Sequence, residues 1–200
     1  SFNYLYFGLG ENLGHPYNMI GSDGKSIKGA EGIGGGIFRC KRDGSGLESV
    51  ARGLWNPFGL CVDEFGRVLA VDNDPGASPP CRLLHIVLGG DYGYQYQHGR
   101  TGHHPFLAWN GELPNTLPMV CGVGEAPCEI LHFNSPSFPE EYRGEYLVTS
   151  WGDHRVERYQ LYGRGNSLGG KMETLIQGGD SFRPVCMEMA PDGSLYVSDW

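Results

Sequence analysis

Residues 71–76 read VDNDPG, the sharpest of the chain's candidates for chemistry. Residues 67–71 have the pattern of a buried strand; the strand ends in Asp72, Asn73 and Asp74, and Pro75 and Gly76 turn the chain there. Carboxylates and carbonyls gathered at a strand end suit a hard cation such as Ca2+, which takes about six to eight oxygens. The order is not that of an EF-hand loop, since D-x-[DN]-x-[DN]-G is not met. An Asx-type turn that only caps the strand explains the same residues, and on spacing alone it is the stronger reading.

Glu11 follows LYFGLG, again at a strand end, where one carboxylate is either a general base or a polar turn residue. His98, His103 and His104 share a loop with Arg100. They could hold a metal or shuttle protons, but with no second group of ligands a solvated loop fits better. His154 lies between Asp153 and Arg155 in SWGDHR, a spacing that suits an anion site or a surface ion-pair turn equally. The runs GIGGG and GLGENLG lack the dinucleotide fingerprint spacing and its strand–helix context. The six cysteines (Cys40, Cys61, Cys81, Cys121, Cys128, Cys186) form no C-x-x-C pair, which removes zinc ribbon, thioredoxin-like and c-type haem readings. Free thiols or one or two disulfides both remain open, and Cys61, Cys128 and Cys186, inside strand-like runs, favour buried thiols.

The elements that position these residues repeat. NPFGLCVDEFGRVLAVDND, APCEILHFNSPSFPEEYRGEYLVTSW and RPVCMEMAPDGSLYVSDW each open on a proline, run through a short apolar strand and a turn, and return in a strand that ends polar. DEFGR and PDGS are hairpin turns, with Gly66 and Gly193 free to take positive φ. RLLHIV, RVERYQL and METLIQG supply outer strands, and NYLYFGL, GIFRC and LESVA make a partial unit ahead of them. About four antiparallel strands per unit, recurring irregularly, is the plan of a β-propeller blade, preferred here over a β-sandwich. The sequence predicts an all-β fold over residues 1–200 with somewhat over three blades, interrupted by a long Gly- and His-rich loop at 89–126. The strand-like start and finish read as a piece cut at both ends.

Composition narrows the partners. A net charge of −8 with scattered Lys and Arg argues against nucleic acid, and no apolar run reaches the length of a membrane span.

Taken together, GIFRCKRDGSGLESVARGLWNPFGLCVDEFGRVLAVDND, GGDYGY, GEAPCEIL, PEEYRGEYLVTSWGDHRVERYQL and RPVCMEMAPDGSLYVSDW resemble the glucose/sorbosone dehydrogenase family of six-bladed quinoprotein propellers. The nearer likeness is to the membrane-bound dehydrogenase group of planctomycetes and their relatives, and it covers nearly the whole chain. The resemblance implies a sugar or polyol oxidoreductase using pyrroloquinoline quinone (PQQ) and Ca2+, periplasmic or secreted, with a cytochrome as a possible electron acceptor. By position, Glu11 matches an acid that orients a histidine base expected upstream of this chain. Asn56, Asn73 and Arg183 match cofactor contacts, and the carbonyls of Asp74 and Pro75 match Ca2+ ligands, with Asp72 beside them. Trp55, Phe58, Gly152 and Val185 stand where the family carries Arg, Gln, Lys and Arg. Trp55 is then expected to stack on the quinone, and Arg155 or Arg52 to replace the lost charge. A propeller that binds carbohydrate or protein without redox chemistry, or a Ca2+-dependent lactonase-like hydrolase, are the alternatives.

Overall fold

The computed structural model describes residues 3–76, 80–101 and 103–200. They form two compact units that divide at Pro57, the first taking also 74–76, 86–101 and 103–119 and the second 58–73, 80–85 and 120–200.

In the first unit, β1 (Tyr4–Leu9), β4 (Gly35–Lys41), β5 (Glu48–Leu54) and β9 (Gly90–Asp91) lie in that order in one sheet. A small hairpin, β2 (Tyr17–Ile20) with β3 (Ser26–Gly29), stands between β1 and β4 in the chain and was not foreseen from sequence. β1 pairs antiparallel with β4 from Tyr4↔Lys41 to Leu9↔Gly36. The outer strand β9 runs parallel to β5, unlike the antiparallel blade expected.

The second unit holds a sheet ordered β10 (Cys121–Gly122), β8 (Arg82–Ile86), β7 (Val68–Asn73), β6 (Asn56–Val62). A second sheet follows chain order, β11 (Pro127–Phe133), β12 (Glu145–Ser150), β13 (Arg155–Arg164) and β14 (Ser167–Gln177), and β15 (Pro184–Met189) pairs with β16 (Leu195–Asp199). All six residues of β12 are buried, as a strand covered on both faces must be. Tyr146 and Val148 pack with Leu69, Leu83 and Ile130, whereas Leu147 packs with Phe133, Val156 and Met187. The period-2 alternation of side chains thus feeds two cores from one strand. Burying each such side chain stabilises by roughly 1.5–3 kcal/mol.

The repeat read in the sequence extends to a register detail. Pro127 and Pro184 each open an inner strand, and each is followed by a one-residue slip, before Glu129 in β11 and before Cys186 in β15. Such a bulge re-aims the strand end. Segment 89–126 is less an insertion than expected, because its two ends supply β9 and β10 as outer strands of two sheets. Among the described residues all six cysteines are free thiols, and no helix is long and apolar enough to cross a membrane.

Candidate functional site

In the first unit the sequence-distant Glu11, Trp55 and Asn56 come together. The Glu11 amide donates to the Trp55 carbonyl at 2.8 Å. Gly10 lies so near Asn56 that a Cβ there would stand 2.8 Å from Asn56 Oδ1, so only glycine admits the amide at this point. Glu11 is buried, and its Oε2 accepts from the Gly14 amide at 3.2 Å. The turn it caps carries Asn12 and Leu13 at φ 53° each, a conformation costly for leucine. Trp55 is 7% exposed, meets Tyr94 edge-on at 5.2 Å, and has the Arg100 guanidinium 5.6 Å from its ring centroid. It therefore backs Asn56 as packing and does not present the stacking surface expected of it.

Asp74, Pro75 and Gly76 form an Asx turn, with Asp74 Oδ1 accepting from the Gly76 amide at 3.1 Å. Asp74 is buried, and that desolvation raises its pKa above the ordinary carboxyl value. The turn reading thus holds in geometry, and the same turn sets the Asp74 and Pro75 peptides at the strand end.

Asp72 corrects an expectation. Its side chain is fully buried, and its Oδ2 accepts from Nε and Nη2 of Arg82, also fully buried, at 2.9 Å each. A carboxylate enclosed in this way holds β7 to β8 and is no ligand for an entering cation. Asn73, next in the chain, points to different company: the Cys81 thiol donates to its Oδ1 at 3.0 Å and lies 3.9 Å from Glu125 Oε2.

The second unit gathers a further group at the same strand ends. Arg183 Nη1 donates to the Trp151 carbonyl at 3.1 Å, and its guanidinium lies 4.2 Å from the Trp151 ring centroid. The Arg183 amide donates to Asp199, and the Arg183 carbonyl accepts from Trp200. Among the described residues Arg183 forms no ion pair. His154, at φ 59°, holds the Phe182 carbonyl through Nδ1 at 2.9 Å, so it braces the loop just before Arg183. Arg155 is committed to Asp153 and Glu157 at 3.1 and 2.6 Å, and Arg52 to Asp91 at 2.9 Å. Neither stands ready to replace the missing cations. The sequence reading missed Trp151, Cys81 and Glu125; the signal for Trp151 was its repeat position, shared with Trp200.

Among the described residues the loop histidines are not gathered with other metal-ligating side chains. His98 and His104 stack with centroids 5.0 Å apart, and Nδ1 of His104 accepts from the Phe106 amide.

Solved structures share this fold. The soluble aldose sugar dehydrogenase of Escherichia coli, in its apo form, superposes with TM-score 0.68 at 18% identity, over 98% of this chain and 57% of its own. The PQQ-bound aldose sugar dehydrogenase of Streptomyces coelicolor gives 0.63 at 22%, over 97% and 52%. The holo PQQ domain of pyranose dehydrogenase from Coprinopsis cinerea gives 0.54 at 13%, over 82% and 58%. The sheets are thus blades of a β-propeller, three of four strands and one of two, and the chain spans about half the length of these structures. No curated protein is detectably similar in sequence. A family model matches residues 2–200, and the chain belongs to that family, described as Domain of unknown function (DUF7133).

Proposed function

We propose that the whole protein oxidises a sugar or polyol, with PQQ as hydride acceptor and Ca2+ as its partner. The observation that carries this reading is the Glu11–Trp55–Asn56 junction, where the backbone of 10–11 meets Trp55 and Asn56 and the buried Glu11 carboxylate caps the turn that follows, in a fold shared with a PQQ-bound aldose sugar dehydrogenase. In this reading Glu11 orients the histidine base, which takes the substrate hydroxyl proton. Asn56 and Asn73 offer amides to the quinone, and the Asp74 and Pro75 carbonyls serve Ca2+. The residues fit a quinone acid at one cationic point, because the Arg183 guanidinium is held by a carbonyl and an aromatic face and, among the described residues, pairs with no carboxylate. Bound PQQ would supply the hydride acceptor, and Ca2+ would polarise its carbonyls as a Lewis acid. The reading also implies a periplasmic or secreted protein that passes electrons to an acceptor such as a cytochrome.

The test is a titration of PQQ into the whole protein with and without Ca2+, read by cofactor absorbance and sugar-driven dye reduction. Ca2+-dependent uptake that is lost in Asn73→Ala and Arg183→Ala supports the dehydrogenase. One observation favours a second reading: Arg52 and Arg155 are tied in ion pairs, so a tricarboxylate finds few cations. Ca2+ binding without quinone uptake would favour a propeller that binds carbohydrate or protein, or a Ca2+-dependent lactonase-like hydrolase.

A further inference from the structure

The turn behind Glu11 forms one wall of a groove of about 570 Å3 in the first unit, within the range of small-ligand sites. We infer that this groove binds a neutral polyhydroxylated ligand, the aldose or polyol of the proposed reaction; its identification as substrate rests on that reading.

The groove is built rather than incidental. Three chain segments are locked by successive backbone hydrogen bonds, Gly32 N–H to the Gly14 carbonyl at 2.8 Å and Gln97 N–H to the Gly32 carbonyl at 3.0 Å. Both glycines are required by the approach: a Cβ on Gly14 would meet Tyr96 Cδ1 at 2.5 Å, and one on Gly32 would meet Gln97 Cβ at 2.7 Å. Leu13, held at φ 53°, keeps an exposed apolar side chain on the rim.

The lining chemistry selects the ligand class. His15, Glu31 and Gln97 bring an imidazole, a carboxylate and an amide to the groove, and Leu13 and Tyr96 bring apolar surface. Neither His15 nor Glu31 makes a side-chain hydrogen bond among the described residues, so both are ready for ligand hydroxyls. Polar groups that pair with several hydroxyls, beside surface for the C–H face, suit a sugar. No Lys or Arg lines the groove, and the Glu31 charge opposes an anion, which turns away sugar phosphates and sugar acids. The groove is also one hydrogen bond from the proposed chemistry, since Gly14 donates to Glu11 Oε2.

The test measures binding of glucose, xylose, gluconate and glucose 6-phosphate to the whole protein without quinone, by calorimetry and saturation-transfer NMR. Neutral aldoses should bind and the two anions should bind at least about tenfold more weakly. Gln97→Ala and Glu31→Gln, both at exposed positions, should each raise the aldose Kd roughly tenfold. Glu31→Lys should shift preference toward glucose 6-phosphate. No aldose binding, equal affinity in wild type and both variants, or preference of the wild type for the anions would overturn the inference. Variant-sensitive aldose binding without PQQ uptake would keep the groove and discard the dehydrogenase. Sugar-driven dye reduction with unchanged KM in both variants would keep the dehydrogenase and discard the groove.

Discussion

The two ends of the second unit's sheets treat their charges differently. At the hairpin end, Asp63 takes four hydrogen bonds: Oδ1 from the amides of Phe65 and Arg67 at 2.9 and 2.8 Å, Oδ2 from Arg67 Nε and the Tyr146 hydroxyl at 2.5 and 2.7 Å. Burial pushes this carboxyl up, but Tyr146 and Arg67 outweigh it and hold the pKa below the ordinary value. At the opposite end, Arg183 has no carboxylate, and the half-buried Glu129 is raised by desolvation with only a distant thiol, Cys186 Sγ at 3.6 Å, and its neighbour's amide as donors. The Asp63 cluster is satisfied, whereas Arg183 and Glu129 have few partners, yet neither end is uniform: among the described residues His132 Nε2 and Glu145 Oε2 lack a hydrogen bond near the hairpin, and Asp72 is fully paired at the opposite end.

The sharpest contrast lies between the Asp72–Arg82 pair and Arg183, and it gives the largest expected effects. Asp72→Asn strands the fully buried Arg82 and should cost about 3–5 kcal/mol in urea unfolding of the whole protein, with no recovery by Ca2+ or quinone. Arg183→Ala should do the reverse: stability nearly unchanged, and PQQ affinity lower by about 1.5–3 kcal/mol, the worth of a charge-assisted bond. If Arg183→Ala proved as destabilising as Asp72→Asn, the contrast between a structural ion pair and a cation held without one would fail.

A middle-sized effect is an acid limb. Because the folded pKa of Asp63 is depressed, its stabilisation is present above the unfolded value, about 3.9, and is lost as pH falls through the folded one. Asp63→Asn should therefore flatten the stability profile below about pH 4, and an unaltered profile would show the hairpin network to be idle.

Most of the scaffold was legible, because the signals were local and repeated. Pro57, Pro127 and Pro184 each stand at the beginning of an inner strand, and the hairpins turn at Gly66 and Gly193 as their positive φ requires. The β2–β3 hairpin escaped because its strands are four residues each and mostly half-exposed, without a clean alternation of apolar residues. At the site, the position of Glu11 beside Asn56 was not visible, since only backbone pairing over forty-odd residues brings them together. Asp72 was misread for a related reason: its partner, Arg82, opens the next strand of the sheet, and a buried pair made across strands leaves no spacing rule. Trp55 was judged by its ring chemistry, while its burial depended on Tyr94 from a distant loop.

The smallest effect concerns the half-buried Glu129. Glu129 sits two residues inside β11, where Thr149 Oγ1 accepts from its amide and Gly59 packs so near that a Cβ there would lie 2.8 Å from the Glu129 Cα. Its folded pKa is raised, first by burial, so the penalty is absent below the unfolded value of about 4.3 and grows as pH rises through the folded one. Glu129→Gln should accordingly match the wild type near pH 4 and exceed it at pH 7, by a few tenths of a kcal/mol once solvent screening is counted. Unfolding curves at the two pH values decide this. A gain at both would mean that packing and not charge governs the position, and a loss at pH 7 would mean that the carboxylate already has a cationic partner in the whole protein. The expected gain instead marks Glu129 as a charge kept at a cost to stability.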